Sequence, residues 1–490
     1  MLLATDPPGP GLDPDAVSYI GAATTLVQNG TYRVPSSGWA ASDTTEPLAH
    51  FPPGFSTAIA APVAVGLPPI QSARLIVALS AFASAAIIYL LIASVTSPLA
   101  AALAATAAIV TPALVSVHLA VLSEPLFLVT VLATLAAMTA TSLAASPITA
   151  TPRSSAVPAL LTGLAAAAAA SVRYVGVAFV AAAVLWMLVQ RGPWSRRLRD
   201  AALAGLPATI VLGLWIVRST RAAGKQGIRK FGSYGRLGYS LREALDTLTR
   251  WLAPHVSAAP WRTLAAVAAL LAIAAIATGG TRAIHRRADP AGRMLAAIGV
   301  LAMAYAGILV MSRLFADPNI PFDDRILAPL ILLIELAVAI GAWGWWHASA
   351  GRWTRRAAAA GLAVWLVGSV SVSRGLVSDA LTDGDDFAAT QWRYSPTVAW
   401  VRANAPHTPL FTNWPVALYF HAGRGSHILP AGLDPLTLRR FAARVSRAGG
   451  IIVGFDTPSV ECAPPDSIAS RLRLRPLARL ADGTIWAVGD

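Results

Sequence analysis

The sequence predicts an all-α polytopic membrane bundle of about ten transmembrane helices, followed by a small α/β domain at the C-terminal end. Three observations carry that expectation. Of 490 residues, 56% are hydrophobic and only 13% charged, little more than half the charge of an ordinary soluble domain, which is about a quarter. Apolar segments long enough for a hydrocarbon core of about 30 Å recur over the first three quarters of the chain. Arginine clusters punctuate those segments with an alternation that sets an orientation.

The apolar segments run over 72–94, 99–115, 121–143, 156–170, 173–190, 201–219, 261–279, 293–312, 326–346 and 357–376. Arg191, Arg196, Arg197 and Arg199 form one basic loop, Arg282, Arg286, Arg287 and Arg293 a second, and Arg352, Arg355 and Arg356 a third. All three fall on the same side if that side is cytoplasmic. Three regions follow from this threading: an extracytoplasmic catalytic loop with interfacial helices (1–70), a transmembrane domain (71–377) and an extracytoplasmic α/β domain (378–490) of a multi-pass plasma-membrane protein. Met1-Leu2-Leu3-Ala4 runs straight into Asp6-Pro7-Pro8-Gly9 with no signal peptide. Export of a 70-residue polar leader needs an anchor, so the expectation is that a first transmembrane helix is missing ahead of Met1.

The net charge of +14 is almost wholly arginine, with Lys225 and Lys230 the only lysines. The positive-inside rule accounts for it without nucleic acid as a partner. A single cysteine, Cys462, excludes an internal disulfide and offers no metal cluster. Residues 220–257 break the charge rule, since Arg229, Lys230, Arg236 and their basic neighbours fall outside. Arginine matches phosphate oxygens with paired donors, which suits an anionic lipid head group; a tolerated basic loop is the bland alternative.

Within 1–70, Ala16, Tyr19, Ile20, Ala23 and Leu26 form an apolar stripe and predict a helix over Asp15–Asn29. Pro52-Pro53-Gly54 opens a second apolar stretch, Phe55–Leu67, too short to span and expected to lie at the interface. In the tail, strand-like runs at 451–454 and 484–488 alternate with a helical stretch over Pro435–Ala448, without a phosphate-binding glycine fingerprint.

The residues able to do chemistry gather near one membrane surface, whereas a transport path would spread polar groups through the bilayer midplane. Asp13 and Asp15 flank Pro14, with Asp13 the expected helix cap and Asp15 expected to face the membrane groove; Tyr19 is one turn on. Glu124 heads one span, with His118 before it; Arg173-Tyr174 lie between two others; Asp323-Asp324-Arg325 head another. An acidic cap explains one of the aspartates but not Arg325, whose charge opposes the helix dipole. Asp15, Glu46, His50 and Glu124 are hard donors, but no spacing among them specifies a metal. No cofactor is required, and a divalent cation is the one addition the donor set leaves room for.

These residues resemble motifs of the GT-C superfamily of polytopic glycosyltransferases, in particular bacterial relatives of protein O-mannosyltransferases and of the aminoarabinose transferase of lipid A. The likeness begins at Asp15-Ala-Val-Ser-Tyr19 with Asn29-Gly30, and continues at His50-Phe51-Pro52-Pro53-Gly54-Phe55. It extends through Ser123-Glu124-Pro125-Leu126-Phe127, Ser171-Val172-Arg173-Tyr174-Val175-Gly176 and Asp324-Arg325-Ile326-Leu327-Ala328-Pro329, where Ile326 replaces the usual Tyr. Thr412-Asn413-Trp414-Pro415 in the tail is similar as well. Two departures stand out. The family's first transmembrane helix is absent, and the Asp-Glu pair of many relatives reads Asp13-Pro14-Asp15, which leaves the base open between the two.

The resemblance implies transfer of a mannose- or arabinose-like sugar from a polyprenyl-phosphate donor to a glycan, lipid or protein acceptor of the cell envelope. Asp15 would be the general base, with Asp13 or Glu124 positioning acceptor or sugar. Tyr19, His50, Tyr174 and Asp324 would line the substrate, and Arg173, Arg325, Arg229, Lys230 and Arg236 would meet the lipid phosphate. A non-enzymatic lipid-linked glycan flippase or an envelope-assembly scaffold is the alternative, because a fold can host either.

Overall fold

The computed structural model describes residues 8–35, 45–144, 156–190, 192–224, 237–254, 260–268, 290–317, 320–348 and 351–488, with a few positions besides. Arg229, Lys230 and Arg236 lie outside the described residues, as does part of the second half of the segment expected to span over 261–279.

In chain order the helices that matter below are α1 (Pro14–Asn29), α2 (Gly54–Ala64), α3 (Pro69–Ala93), α4 (Pro98–Val110), α5 (Pro112–Leu119) and α6 (Glu124–Ala144). They continue as α7 (Ala156–Val172), α8 (Val177–Val189), α9 (Trp194–Ala223), α10 (Leu237–Leu252), α11 (Pro290–Phe315), α12 (Asp324–Ala348) and α13 (Arg352–Thr382). Among the described residues six of these, α3, α6, α9, α11, α12 and α13, are long and apolar enough to cross a membrane. The count is seven if α4 and α5, bent by 59° to each other, form one crossing; α2, α7 and α8 are shorter apolar helices. The chain is a multi-pass membrane protein.

The α4–α5 bend follows from Pro112. Proline removes a backbone donor and forces the preceding residue out of the helical region, and Thr111 sits at φ −63°, ψ 120°. Ser373 Oγ on α13 donates to the freed Val110 carbonyl at 2.8 Å. Thr111 Oγ1 donates to Glu335 Oε1 on α12 at 2.5 Å.

The chain divides into two compact units. The first comprises Ala49–Ala58 and Ala73–Ser378. Its centre is aromatic: Phe127 of α6, Phe179 of α8 and Tyr305 of α11, with Phe179 and Tyr305 stacked at 5.4 Å between centroids. The Tyr305 hydroxyl donates to the Ile326 carbonyl at 2.8 Å, so the aromatic core and the first turn of α12 are joined by a hydrogen bond.

The second unit comprises Leu3–Leu48, Ile59–Ser72 and Asp379–Asp490. It holds a five-stranded sheet of order β4-β3-β5-β7-β6, from β3 (Leu410–Thr412), β4 (His427–Ile428), β5 (Ile451–Phe455), β6 (Arg475–Leu480) and β7 (Gly483–Ala487). Strand β3 is parallel to β4 and β5, and β7 is antiparallel to β5 and β6. The helix over Pro435–Ala448 is present, capped by Asp434, which accepts from Thr437 N at 2.9 Å. The N-terminal segment belongs to this unit through a Leu12–Asp386 bridge and the Phe387 N–H, which donates to the Leu12 carbonyl at 3.2 Å. A short antiparallel pair, β1 (Arg33–Pro35) with β2 (Thr45–Pro47), follows α1.

Candidate functional site

Glu124 is the electrostatic centre of the first unit. It is 1% exposed at the head of α6, where an uncompensated carboxylate would cost several kcal/mol. Two arginines compensate it. Arg173 Nη1 lies 2.5 Å from Glu124 Oε1, and Arg325 Nε lies 3.0 Å from the same oxygen. Arg173 Nη1 also donates to Ser123 Oγ at 3.1 Å, and its guanidinium rests 6.0 Å from the Phe127 ring centroid. Both arginine side chains keep more exposure than Glu124, 17% and 30% against 2%.

Local chain geometry places each member. Arg173 is extended (φ −143°, ψ 136°) between α7 and a 3-10 turn over Tyr174–Gly176. A Cβ at Gly176 would lie 2.4 Å from backbone atoms of Ala169, so the turn closes only with glycine there. Asp323 caps α12, accepting from Ile326 N at 3.0 Å. That puts Asp324 first in the helix and Arg325 second, facing Glu124. The turn before it is braced by α10: Phe322 N donates to Glu243 Oε2 at 2.9 Å, and Thr247 Oγ1 donates to the Phe322 carbonyl at 3.0 Å.

The Pro-Pro-Gly element is part of the same unit. A Cβ on Gly54 would lie 2.6 Å from the Ser171 carbonyl oxygen, two residues before Arg173. The Tyr174 hydroxyl donates to the Ala49 carbonyl at 3.3 Å and accepts from Trp215 Nε1 on α9 at 3.0 Å. Residues 49–54 are thus laid backbone-to-backbone along the 171–174 turn.

The structure distributes the sequence-predicted residues over both units. Glu124, Arg173 and Arg325 touch one another; Tyr174 and Asp324 adjoin them in sequence. His50 is exposed, edge-on to the Phe51 ring at 4.7 Å. In the second unit Asp13 is the α1 cap, accepting from Asp15 N at 2.5 Å, Asp15 opens the first turn and Tyr19 is buried. Glu46 is exposed in β2, opposite Val34 of β1. Of the basic loop, the second half is helix α10, with Arg250 paired to Asp246 at 3.0 Å and Arg262, beyond the loop, paired to the same carboxylate at 2.7 Å. Among the described residues no three His, Cys, Asp or Glu side chains group as a metal site.

One group, Glu335, was missed by sequence reasoning, and one that the sequence placed before Glu124, His118, proves to be buried. Glu335, eleven residues into α12, accepts from Thr111 Oγ1 at 2.5 Å and from Trp251 Nε1 at 3.1 Å, while its Oε2 has no partner. The signal available was a lone acid inside an apolar run, functional by default in a membrane. His118 Nδ1 donates to Leu114 O at 2.6 Å, and Nε2 is buried without a partner.

The fold is the GT-C fold of polytopic membrane proteins, as its likeness to solved structures shows. No protein-family model matches the chain, and no curated protein does. Among solved structures, the ArnT of Cupriavidus metallidurans bound to undecaprenyl phosphate is similar over 99% of this chain and 95% of that one, at 14% identity and TM-score 0.63. The arabinofuranosyltransferase AftD from Mycobacteria is similar over all of this chain, at 18% identity and TM-score 0.60; the chain spans 39% of its length. The oligosaccharyltransferase AglB of Archaeoglobus fulgidus, in complex with an inhibitory peptide and a dolichol-phosphate, matches 91% of this chain and 66% of its own at 12% identity and TM-score 0.52.

Proposed function

We propose that the protein is a membrane glycosyltransferase that moves a sugar from a polyprenyl-phosphate donor to a cell-envelope acceptor at the outer face of the plasma membrane. The observation that carries this reading is the Arg173–Glu124–Arg325 cluster, which brings two guanidiniums together on one carboxylate at the head of a membrane helix. A leaving lipid phosphate gains negative charge as the glycosidic bond breaks, and oriented cations at that point are the largest kind of catalytic term. The solved structures of the same fold include one with bound undecaprenyl phosphate and one with a dolichol-phosphate.

In the proposed reaction an acceptor hydroxyl attacks the anomeric carbon and the bond from that carbon to the phosphate oxygen breaks. Polyprenyl phosphate departs with the electron pair, and the hydroxyl proton passes to the Asp15 carboxylate. Single displacement inverts the anomeric carbon. Glu124 is assigned a positioning role, because its carboxylate is already committed to two guanidiniums.

The test follows radiolabel from polyprenyl-phosphate-mannose or -arabinose into membrane acceptors. Asp15→Asn is expected to reduce turnover by roughly 10²- to 10⁴-fold while donor-lipid binding persists. Arg325→Lys, which loses the paired donors, is expected to reduce it by roughly 10²-fold. Absence of transfer by the unaltered protein across both donors, with lipid binding intact, would replace this reading with a flippase or scaffold.

A further inference from the structure

The second unit contains a cavity that the glycosyl-transfer reading does not use. It lies beyond the C-terminal end of β5, in a sheet where β5 is parallel to β3. Open α/β sheets bind ligands in the crevice past the carboxyl ends of their parallel strands. Its volume is about 190 Å³. A water molecule occupies roughly 30 Å³ of liquid and drug-sized ligands need upwards of about 300 Å³, so the space suits one small ring.

Its lining has two chemical faces. Trp486 and Pro465 supply apolar surface, and the gap between them exists because residue 454 is glycine. A Cβ there would lie 2.4 Å from Pro465 Cβ and 2.6 Å from Trp486 Cζ3. Asp456 and Asp466 supply carboxylates at an exposed rim, and Ser459 adds a hydroxyl. No hydrogen bond among the described residues uses the Asp456 or Asp466 carboxylate, and both residues are exposed.

The rim is held before any ligand arrives. Asn413 accepts from Phe455 N at 2.9 Å through its side-chain oxygen and donates to the Phe455 and Thr457 carbonyls at 2.9 and 3.1 Å. Trp414 Nε1 donates to the same Thr457 carbonyl at 2.8 Å. A site fixed in this way avoids much of the ordering cost of binding.

We propose that this cavity is a saccharide-binding subsite that takes one neutral or amino-sugar ring. Sugar C–H faces match the indole and proline surfaces, and ring hydroxyls donate to the two carboxylates. The paired negative charge disfavours a phosphorylated ligand, which separates this subsite from the cationic cluster of the first unit. The assignment stands whether or not the chain transfers sugar.

The test uses the full chain in lipid nanodiscs with methyl mannoside, methyl arabinofuranoside and glucosamine as probes, read by saturation-transfer NMR. Transfer to the ring C–H protons of at least one probe is expected. The Asp456→Ala/Asp466→Ala variant, altered only at exposed positions, is expected to bind roughly tenfold or more weakly at an unchanged melting temperature. Silence with all three probes, or equal signal from the variant, overturns the proposal. A melting temperature raised by calcium ion alone, with no response to sugar, overturns it too and assigns the carboxylates to a cation.

Discussion

Arg173 meets Glu124 at 2.5 Å, so the turn after α7 and the head of α6 are joined by an ion pair with one partner fully buried. Removing one member of such a pair costs far more than the pair contributes in sum, because the survivor is left buried without its counter-charge. Glu124→Gln keeps the shape and deletes the charge, leaving two guanidiniums facing an amide. We expect a loss of about 3 kcal/mol, seen as a lowered melting temperature in detergent. Combining it with Arg325→Gln should recover part of that loss. Strict additivity of the two single losses would show that the 3.0 Å Arg325 contact contributes nothing.

Gly54 offers a sharper probe of how the Pro-Pro-Gly element is docked. Its Cβ position is 2.6 Å from the Ser171 oxygen and 2.7 Å from the Ser171 carbon, both backbone atoms that cannot rotate away. Gly54→Ala should cost about 1–3 kcal/mol and displace residues 49–54 from the Arg173 turn. Gly213→Ala, in α9 with nothing within 4 Å of its Cβ position, is the matched control and should be neutral or slightly stabilising. Equal melting temperatures for the two variants would contradict the close packing.

Much of this was legible in the sequence, and what was not has a common cause. Local signals worked: Asp13-Pro14 starts α1, Gly30 ends it at φ +67°, and Asp323 caps α12. The strand runs of the tail gave β5 and β7. The convergence of Glu124, Arg173 and Arg325 could not be read from spacing, because it depends on how α6, α7 and α12 pack. Glu335 was overlooked for the same reason, since its partners Thr111 and Trp251 lie on other helices. The bend at Thr111 was written in Pro112, but an apolar run continuing on both sides hid it. The joining of Leu12 to the Asp386 turn spans nearly the whole chain and carries no local signal.

Asp13 and Asp15 are two residues apart and should respond oppositely to substitution. Asp13 accepts the Asp15 N–H, so Asp13→Ala removes a cap and should cost about 1 kcal/mol in stability, whereas Asp13→Asn should be nearly silent. Asp15→Asn should leave the melting temperature in place and remove turnover. A melting curve and a transfer assay on the three variants decide between these residues as cap and base; loss of transfer in Asp13→Asn alone would exchange their roles.

His421 should make the second unit acid-sensitive. Burial is the main force holding its imidazole below the ordinary value, with the nearby Arg393 and Arg402 adding to the shift and the hydrogen bond to the Phe387 carbonyl opposing it. Nε2–H donates to that carbonyl at 2.5 Å. The unfolded chain therefore binds a proton that the folded unit refuses, over the interval from about pH 6.5 down to the lowered folded value. Stability from this group is complete above that interval and is lost as the pH falls through it. The melting temperature should drop as the pH falls below about 6.5. His421→Gln keeps a donor for the Phe387 carbonyl but cannot titrate, so its drop should be smaller; parallel curves for the two proteins would place the acid sensitivity elsewhere.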